Sequence, residues 1–224
     1  MKAIELVNEE ALMLGINDEM NPCTYVFREI DYSDVESLVI TTSLIDFNIT
    51  IEAPVLHMPK LKSISIDGAK ALDVFKLVYD KLETIPEIDH MYFDRTGMLK
   101  PPEFIWDAIH LTNLEFRHED IQEIPNQLFE LINLRSLTFA YCVNITTVPD
   151  SIKKLFNLVN FNLWSAKIAY LSHELFLLPN INSIKFSYSS YIPTIEVRKA
   201  LGIFKEKKKS SFISWGGDNE FLYW

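Results

Sequence analysis

Apolar residues along this chain fall into a pattern of about 23 residues that repeats. Leu111, Leu114 and Phe116 open one unit; Leu134, Leu137, Phe139, then Leu158, Phe161, Leu163, then Ile181, Ile184, Phe186 open the next three. Each set reads L-x-x-L-x-L, and its last two apolar residues, two apart, share one face of a strand. The second half of a unit recurs at spacings of three and four, the spacing of a short helix or helical turn. Ile121, Ile124, Pro125, Leu128 and Leu131 are answered by Ile145, Val148, Pro149, Ile152 and Leu155, and then by Ile168, Leu171, Leu175 and Leu178. One period upstream, Ile88, Met91 and Phe93 start a further unit. An isolated unit cannot bury both its strand face and its helical stripe, so the units are predicted to stack into a solenoid.

L-x-x-L-x-L followed by I-x-x-I-P-x-x-L-x-x-L resembles the leucine-rich repeat family, in its 23-residue class with an I-P pair, from Ile88 to about Phe186. The resemblance implies an α/β fold: a parallel β-sheet on the concave face, short helices or irregular segments on the convex face, and caps at both ends. Proteins of this class include intracellular scaffolds, immune receptors and bacterial proteins. The family usually places Asn where the strand turns away, but those positions here read Thr96, Glu119, Cys142, Ala166 and Ser189. The turn is therefore expected to rest on backbone and buried contacts rather than on an Asn ladder. One extra residue before Ile145 predicts a local bulge.

Upstream the repeat is divergent. Leu61, Ile64 and Ile66 predict a fifth strand and Val35, Leu38 and Ile40 a sixth. Leu72, Phe75 and Val78 predict a fuller helix, and Phe47, Ile49 and Ile51 an extra strand. The organisation read from this is one structural domain: an N-terminal cap over 1–34, divergent repeats over 35–87, regular repeats over 88–190 and a C-terminal cap over 191–224. Within the first cap, Ala3 to Leu14 suggests a short amphipathic helix and Tyr25 to Ile30 a strand. Within the last, a helix is expected from Thr194 to about Lys207. Gly216, Gly217, Asp218 and Asn219 then supply turn chemistry for an aromatic hairpin between Phe212–Trp215 and Phe221–Trp224.

At 224 residues with 48% hydrophobic content, the chain has ample material for a core. No stretch approaches the roughly 18 apolar residues of a membrane helix, and the first ten residues have no apolar segment of the kind a secretory signal needs. Cys23 and Cys142 lie far apart, unlike the clustered cysteines of extracellular repeat proteins. A cytoplasmic location and no membrane partner are expected. The net charge of −10 disfavours nucleic acid. It is uneven: residues 1–60 hold eleven acids against Lys2, Arg28 and Lys60, while Arg198 to Lys209 is basic.

No enzyme is expected. His57, His90, His110, His118 and His173 have no His or Cys partner at metal-ligand spacing, and no nucleophile elbow or phosphate-binding glycine loop occurs. No catalytic, metal-binding or cofactor-binding residue is assigned. The contiguous His118, Glu119 and Asp120 sit at a strand exit, where neighbouring side chains point in different directions.

The repeat pattern instead selects the side chains that line the open sheet. Tyr92, Asp94 and Arg95 come from the unit at Ile88. Glu115, Arg117 and His118 come from the next, Tyr141 from the third, Asn162 and Trp164 from the fourth, and Lys185 and Tyr188 from the last. Aromatic anchors beside Arg are the composition of interface hot spots. The expected function is a non-enzymatic protein-binding module working through its concave sheet. Alternatives are an immunity or toxin-neutralising protein that masks a basic enzyme, a secreted effector acting in another cell, and a structural spacer in which Trp164 is covered.

Overall fold

Strand pairing in the first unit, Met1–Gly97, follows the apolar alternation. The computed structural model describes residues 4–8, 11–16, 24–27, 32–42, 48–51, 55–83, 87–187, 194–207 and 212–215. β1 (Ile4–Asn8) runs antiparallel to β2 (Ala11–Ile16). Thr24–Phe27 forms β3, beside which β5 (Asn48–Ile51) lies parallel. β2 is followed by parallel pairings with β4 (Ser37–Thr42), then β6 (Ser63–Asp67), then β7 (His90–Asp94). The register sets Leu38 beside Ile64 and Ile64 beside Met91, and likewise Ile40, Ile66 and Phe93, all buried. Helix α1 (Ala71–Tyr79) buries Ala71, Val74, Phe75 and Val78; of the expected Leu72, Phe75 and Val78, Leu72 is only half-buried.

The helix expected from Ala3 to Leu14 is not formed; β1 and β2 take its place. Ile4 and Leu6, and then Leu12, Leu14 and Ile16, alternate at a period of two. As a strand this segment also satisfies the edge of β4, which a helix would leave without ladder partners. Most of the remaining residues of the expected N-terminal cap lie outside the described residues.

The second unit, Met98–Trp224, is the more regular. β8 (Asn113–Arg117), β9 (Ser136–Ala140), β11 (Asn160–Trp164), β13 (Ser183–Ser187) and β14 (Phe212–Trp215) pair in parallel in that order. Between them lie the short strands β10 (Thr147–Val148) and β12 (Tyr170–Leu171), also a parallel pair. Register is set by the repeat: Leu114, Leu137, Phe161 and Ile184 align, as do Phe116, Phe139, Leu163 and Phe186, and all are buried. Phe116 stacks on Phe139 at 5.2 Å between centroids. The result is a parallel-strand α/β repeat fold with few helices.

The helical halves are single 3-10 turns, Glu103–Asp107, Asn126–Glu130, Asp150–Lys154 and His173–Leu177. Pro102, Pro125 and Pro149 immediately precede the first three, in extended backbone. There the missing N–H costs nothing, because a donor at a helix start has no intrahelical partner. Ser172 stands at the fourth such position, and its hydroxyl accepts from Glu174 N at 3.2 Å. Helix α2 (Ile195–Lys207) follows, matching the expected helix. It buries Val197, Ala200 and Phe204, and Phe204 meets Phe176 edge-on at 6.4 Å. Phe212–Trp215 extends the sheet as β14; the second limb of the expected hairpin lies outside the described residues.

An asparagine ladder is present, at a different place from the strand exit. Asn133 Nδ2 donates to Ile109 O at 2.8 Å, Asn157 Nδ2 to Ile132 O at 3.0 Å and Asn180 Nδ2 to Phe156 O at 2.9 Å. Each ties the turn before one strand to the same turn one repeat earlier. Asn157→Ala should lower unfolding free energy by about 1 kcal/mol, the usual net worth of one such bond, in urea titration; Asn157→Ser should recover little, since its hydroxyl is too short to reach. At the strand exits, two side chains also bond backbone. Glu119, buried, accepts from Met98 N at 3.1 Å, and the Cys142 thiol lies 3.7 Å from Phe116 O. Thr96 and Ala166 are buried as well, and Ser189 is outside the described residues.

Asp150 links two repeats. Its Oδ1 accepts from Ser172 Oγ at 2.6 Å and from Tyr170 Oη at 2.9 Å. These two bonds, Ser172 first, hold its carboxyl below the ordinary carboxylate value. The unfolded chain therefore binds the proton more readily, and the stabilisation is complete above about pH 4, the unfolded value, and lost as pH falls through the lower folded value. The stability gap between wild type and Asp150→Asn should be constant near neutrality and shrink below about pH 4, measured by urea unfolding at each pH.

Candidate functional site

Every described non-glycine residue with positive φ stands directly after a long strand: Arg95 at 52°, His118 at 50°, Tyr141 at 60° and Ser165 at 67°. Gly68, at 109°, holds the equivalent place after β6. Backbone bonds fix these turns: Gly68 N donates to Asp94 O at 2.9 Å, His118 N to Ala140 O at 2.9 Å and Tyr141 N to Trp164 O at 2.7 Å. A bulky side chain in left-handed backbone costs about 1 kcal/mol or more. The chain nonetheless places Arg, His and Tyr there.

In the second unit this geometry builds an aromatic row. His118 and Tyr141 stack at 4.5 Å with planes 4° apart, and Tyr141 stacks on Trp164 at 5.6 Å and 24°. Trp164 ends β11 while Tyr141 and His118 follow β9 and β8, so the row crosses the strands at their C-terminal ends. Tyr141 remains 38% exposed and Trp164 41%. Beside the row, Arg117 Nε lies 3.3 Å from Glu115 Oε1. Asn162 and Lys185 are aligned neighbours on β11 and β13, with Lys185 exposed and Asn162 half-buried.

The repeat pattern anticipates Tyr141 beside Trp164 but treats His118 as part of a charged zone; the structure makes it the third ring of the stack. Tyr188, expected next to Trp164, lies outside the described residues. Glu119, adjacent to His118, turns inward and is buried, as the differing directions at a strand exit require.

Tyr92, Asp94 and Arg95 belong to the first unit and form their own cluster. Arg95 grips Asp67 with two bonds, Nε to Oδ1 at 3.1 Å and Nη2 to Oδ2 at 2.6 Å. Tyr92 Oη donates to Asp94 Oδ2 at 3.1 Å, and Arg95 lies 3.6 Å from that same oxygen. Asp67, chiefly by hydrogen bonding, raises the already high Arg95 value further. The two acids thus share one fixed cation, an arrangement that holds the strand ends together.

Among the described residues, no group of three or more His, Cys, Asp or Glu is disposed to hold a metal ion, and no helix is long and apolar enough to cross a membrane.

Sequence charge divides between the units. Residues 1–97 hold eighteen acids against eight bases, and 98–224 hold thirteen of each, so the whole net charge of −10 belongs to the first unit.

No protein-family model matches the chain, and no curated protein matches it significantly. Among solved structures it is similar to a leucine-rich repeat protein of Leptospira interrogans, at 13% identity over 94% of this chain and 72% of that one, with a TM-score of 0.32.

Proposed function

We propose that the chain is a leucine-rich repeat solenoid of the 23-residue class, capped at both ends. On this reading it is a non-enzymatic, cytoplasmic module that binds a protein partner through the concave face of its sheet. The observation that carries the reading is the stack of His118, Tyr141 and Trp164 on the open side of the strands. Apolar surface left in water forgoes about 25 cal/mol per Å², and two of the three rings are set in costly left-handed backbone. Stability is better served by Gly or Asn at His118 and Tyr141, so a row of rings there fits a selected contact surface. A spacer role would favour a covered Trp164, whereas the residue is 41% exposed.

Masking a basic enzyme would call for acidic side chains on the contact face. The excess acids lie in residues 1–97, away from the stack in sequence, which favours the general binding role over the neutralising one. Capture from native lysate by wild type beside a folded Trp164→Ala, Arg117→Ala double variant tests the reading. A partner retained by wild type and lost by the variant is the expected result; equal retention by both would refute a site on this face.

A further inference from the structure

We propose, resting on that reading, that the stack face of the second unit takes a carboxylate-rich protein segment, not a basic one. Two stacking contacts consume four of the six ring faces of His118, Tyr141 and Trp164. An incoming Arg or Lys would need an uncovered aromatic face, and the stack offers only its two ends. What it presents along its length are ring edges, the electropositive part of an aromatic quadrupole. Edges also carry the polar atoms of Trp164 and Tyr141: the indole N–H is a donor only, and the phenol has an O–H to give.

The surrounding charges point the same way. Glu115 is the acid on the outward positions of β8, β9, β11 and β13, and it is spent on Arg117 in the same strand. Lys185, exposed, forms no ion pair among the described residues. The face therefore carries a small positive excess on a chain whose net charge is −10. Charges more than roughly 8 Å away are screened at physiological ionic strength, so local charge and the donor edges decide what docks. An acidic segment satisfies them; a basic segment meets Lys185 and positive ring edges.

The test uses three fluorescein-labelled twelve-residue peptides of identical Gly, Tyr and Leu positions, whose remaining positions are all Glu, all Gln or all Lys. Fluorescence anisotropy measures binding to the full chain at low and high salt. The Glu peptide should bind at least tenfold tighter than the Gln peptide, weaken as salt rises, and lose at least fivefold with Lys185→Glu and with Trp164→Ala. Preference for the Lys peptide, abolished by Trp164→Ala, would overturn the acidic-partner proposal while leaving the binding face intact. Equal binding of Glu and Gln peptides, or no binding by any, would also overturn it. Glu-peptide binding that ignores both substitutions would overturn it and place the acid-binding site elsewhere; the lysate comparison judges the face itself independently.

Discussion

Gly68→Ala should destabilise the first unit by about 2–6 kcal/mol, a large share of the roughly 5–15 kcal/mol of a typical domain. Two costs combine. Gly68 sits at φ 109°, a region that side-chain-bearing residues rarely enter, at a penalty of about 1–3 kcal/mol. A methyl group there would also lie 2.8 Å from Thr42 Oγ1 and closer still to the Thr42 carbonyl oxygen, a backbone atom that cannot swing aside. Relief requires moving β4 against β6, and overpacking of this kind costs about 1–3 kcal/mol. Gly97→Ala separates the two terms, because φ is 72° there but nothing lies within 4 Å of the added carbon. Its loss should be the strain alone, about 1–2 kcal/mol. Urea unfolding of both variants measures the difference; equal losses would mean that the close approach to Thr42 is relieved without cost.

Trp164→Ala should weaken partner binding by roughly 30-fold or more, the 2 kcal/mol of a hot-spot residue. The same substitution should reduce stability by only about 1 kcal/mol, since the ring is partly exposed and a stacked pair contributes about 0.5–1.5 kcal/mol. That split is the signature of a residue kept for contact. Tyr141→Ala should follow it in kind, for Tyr141 is the middle ring and its removal separates His118 from Trp164. Isothermal titration with the captured partner, beside urea unfolding of each variant, gives both halves of the comparison. A Trp164 variant that binds as wild type but unfolds several kcal/mol early would make the ring structural.

Sequence periodicity reaches far into this fold, for a physical reason. In stacked repeats, register follows from aligning identical units, so the spacing of Leu114, Leu137, Phe161 and Ile184 along the chain is enough to match them as neighbours. It fails where the period does. Ala3 to Leu14 has no repeat to anchor it, and its apolar residues satisfy a helical and a strand pattern over so short a run; pairing with β4, a tertiary gain, decides. The five-residue 3-10 segments match the short helix or helical turn that the spacing of three and four predicts, and Pro precedes three of the four. The asparagine ladder is legible in the Asn that precedes Leu134, Leu158 and Ile181. Its place is the turn before the strand, not the exit after it. For the site, alternation identifies the outward side chains but says nothing of left-handed backbone after the strand. One period separates His118 from Tyr141, and the left-handed turn is what sets both rings into the row.

Whether protein binding resides on the stack face comes down to one affinity comparison with the captured partner. Tyr141→Ala with Trp164→Ala removes the stack. Phe156→Ala removes an exposed apolar side chain of similar size in a turn outside the sheet, with 45% exposure. A site on the stack requires at least 30-fold loss for the first and a change within about twofold for the second, since surface changes away from a contact stay within about 0.5 kcal/mol. Equal affinity for the stack variant, or a loss confined to Phe156→Ala, would refute it.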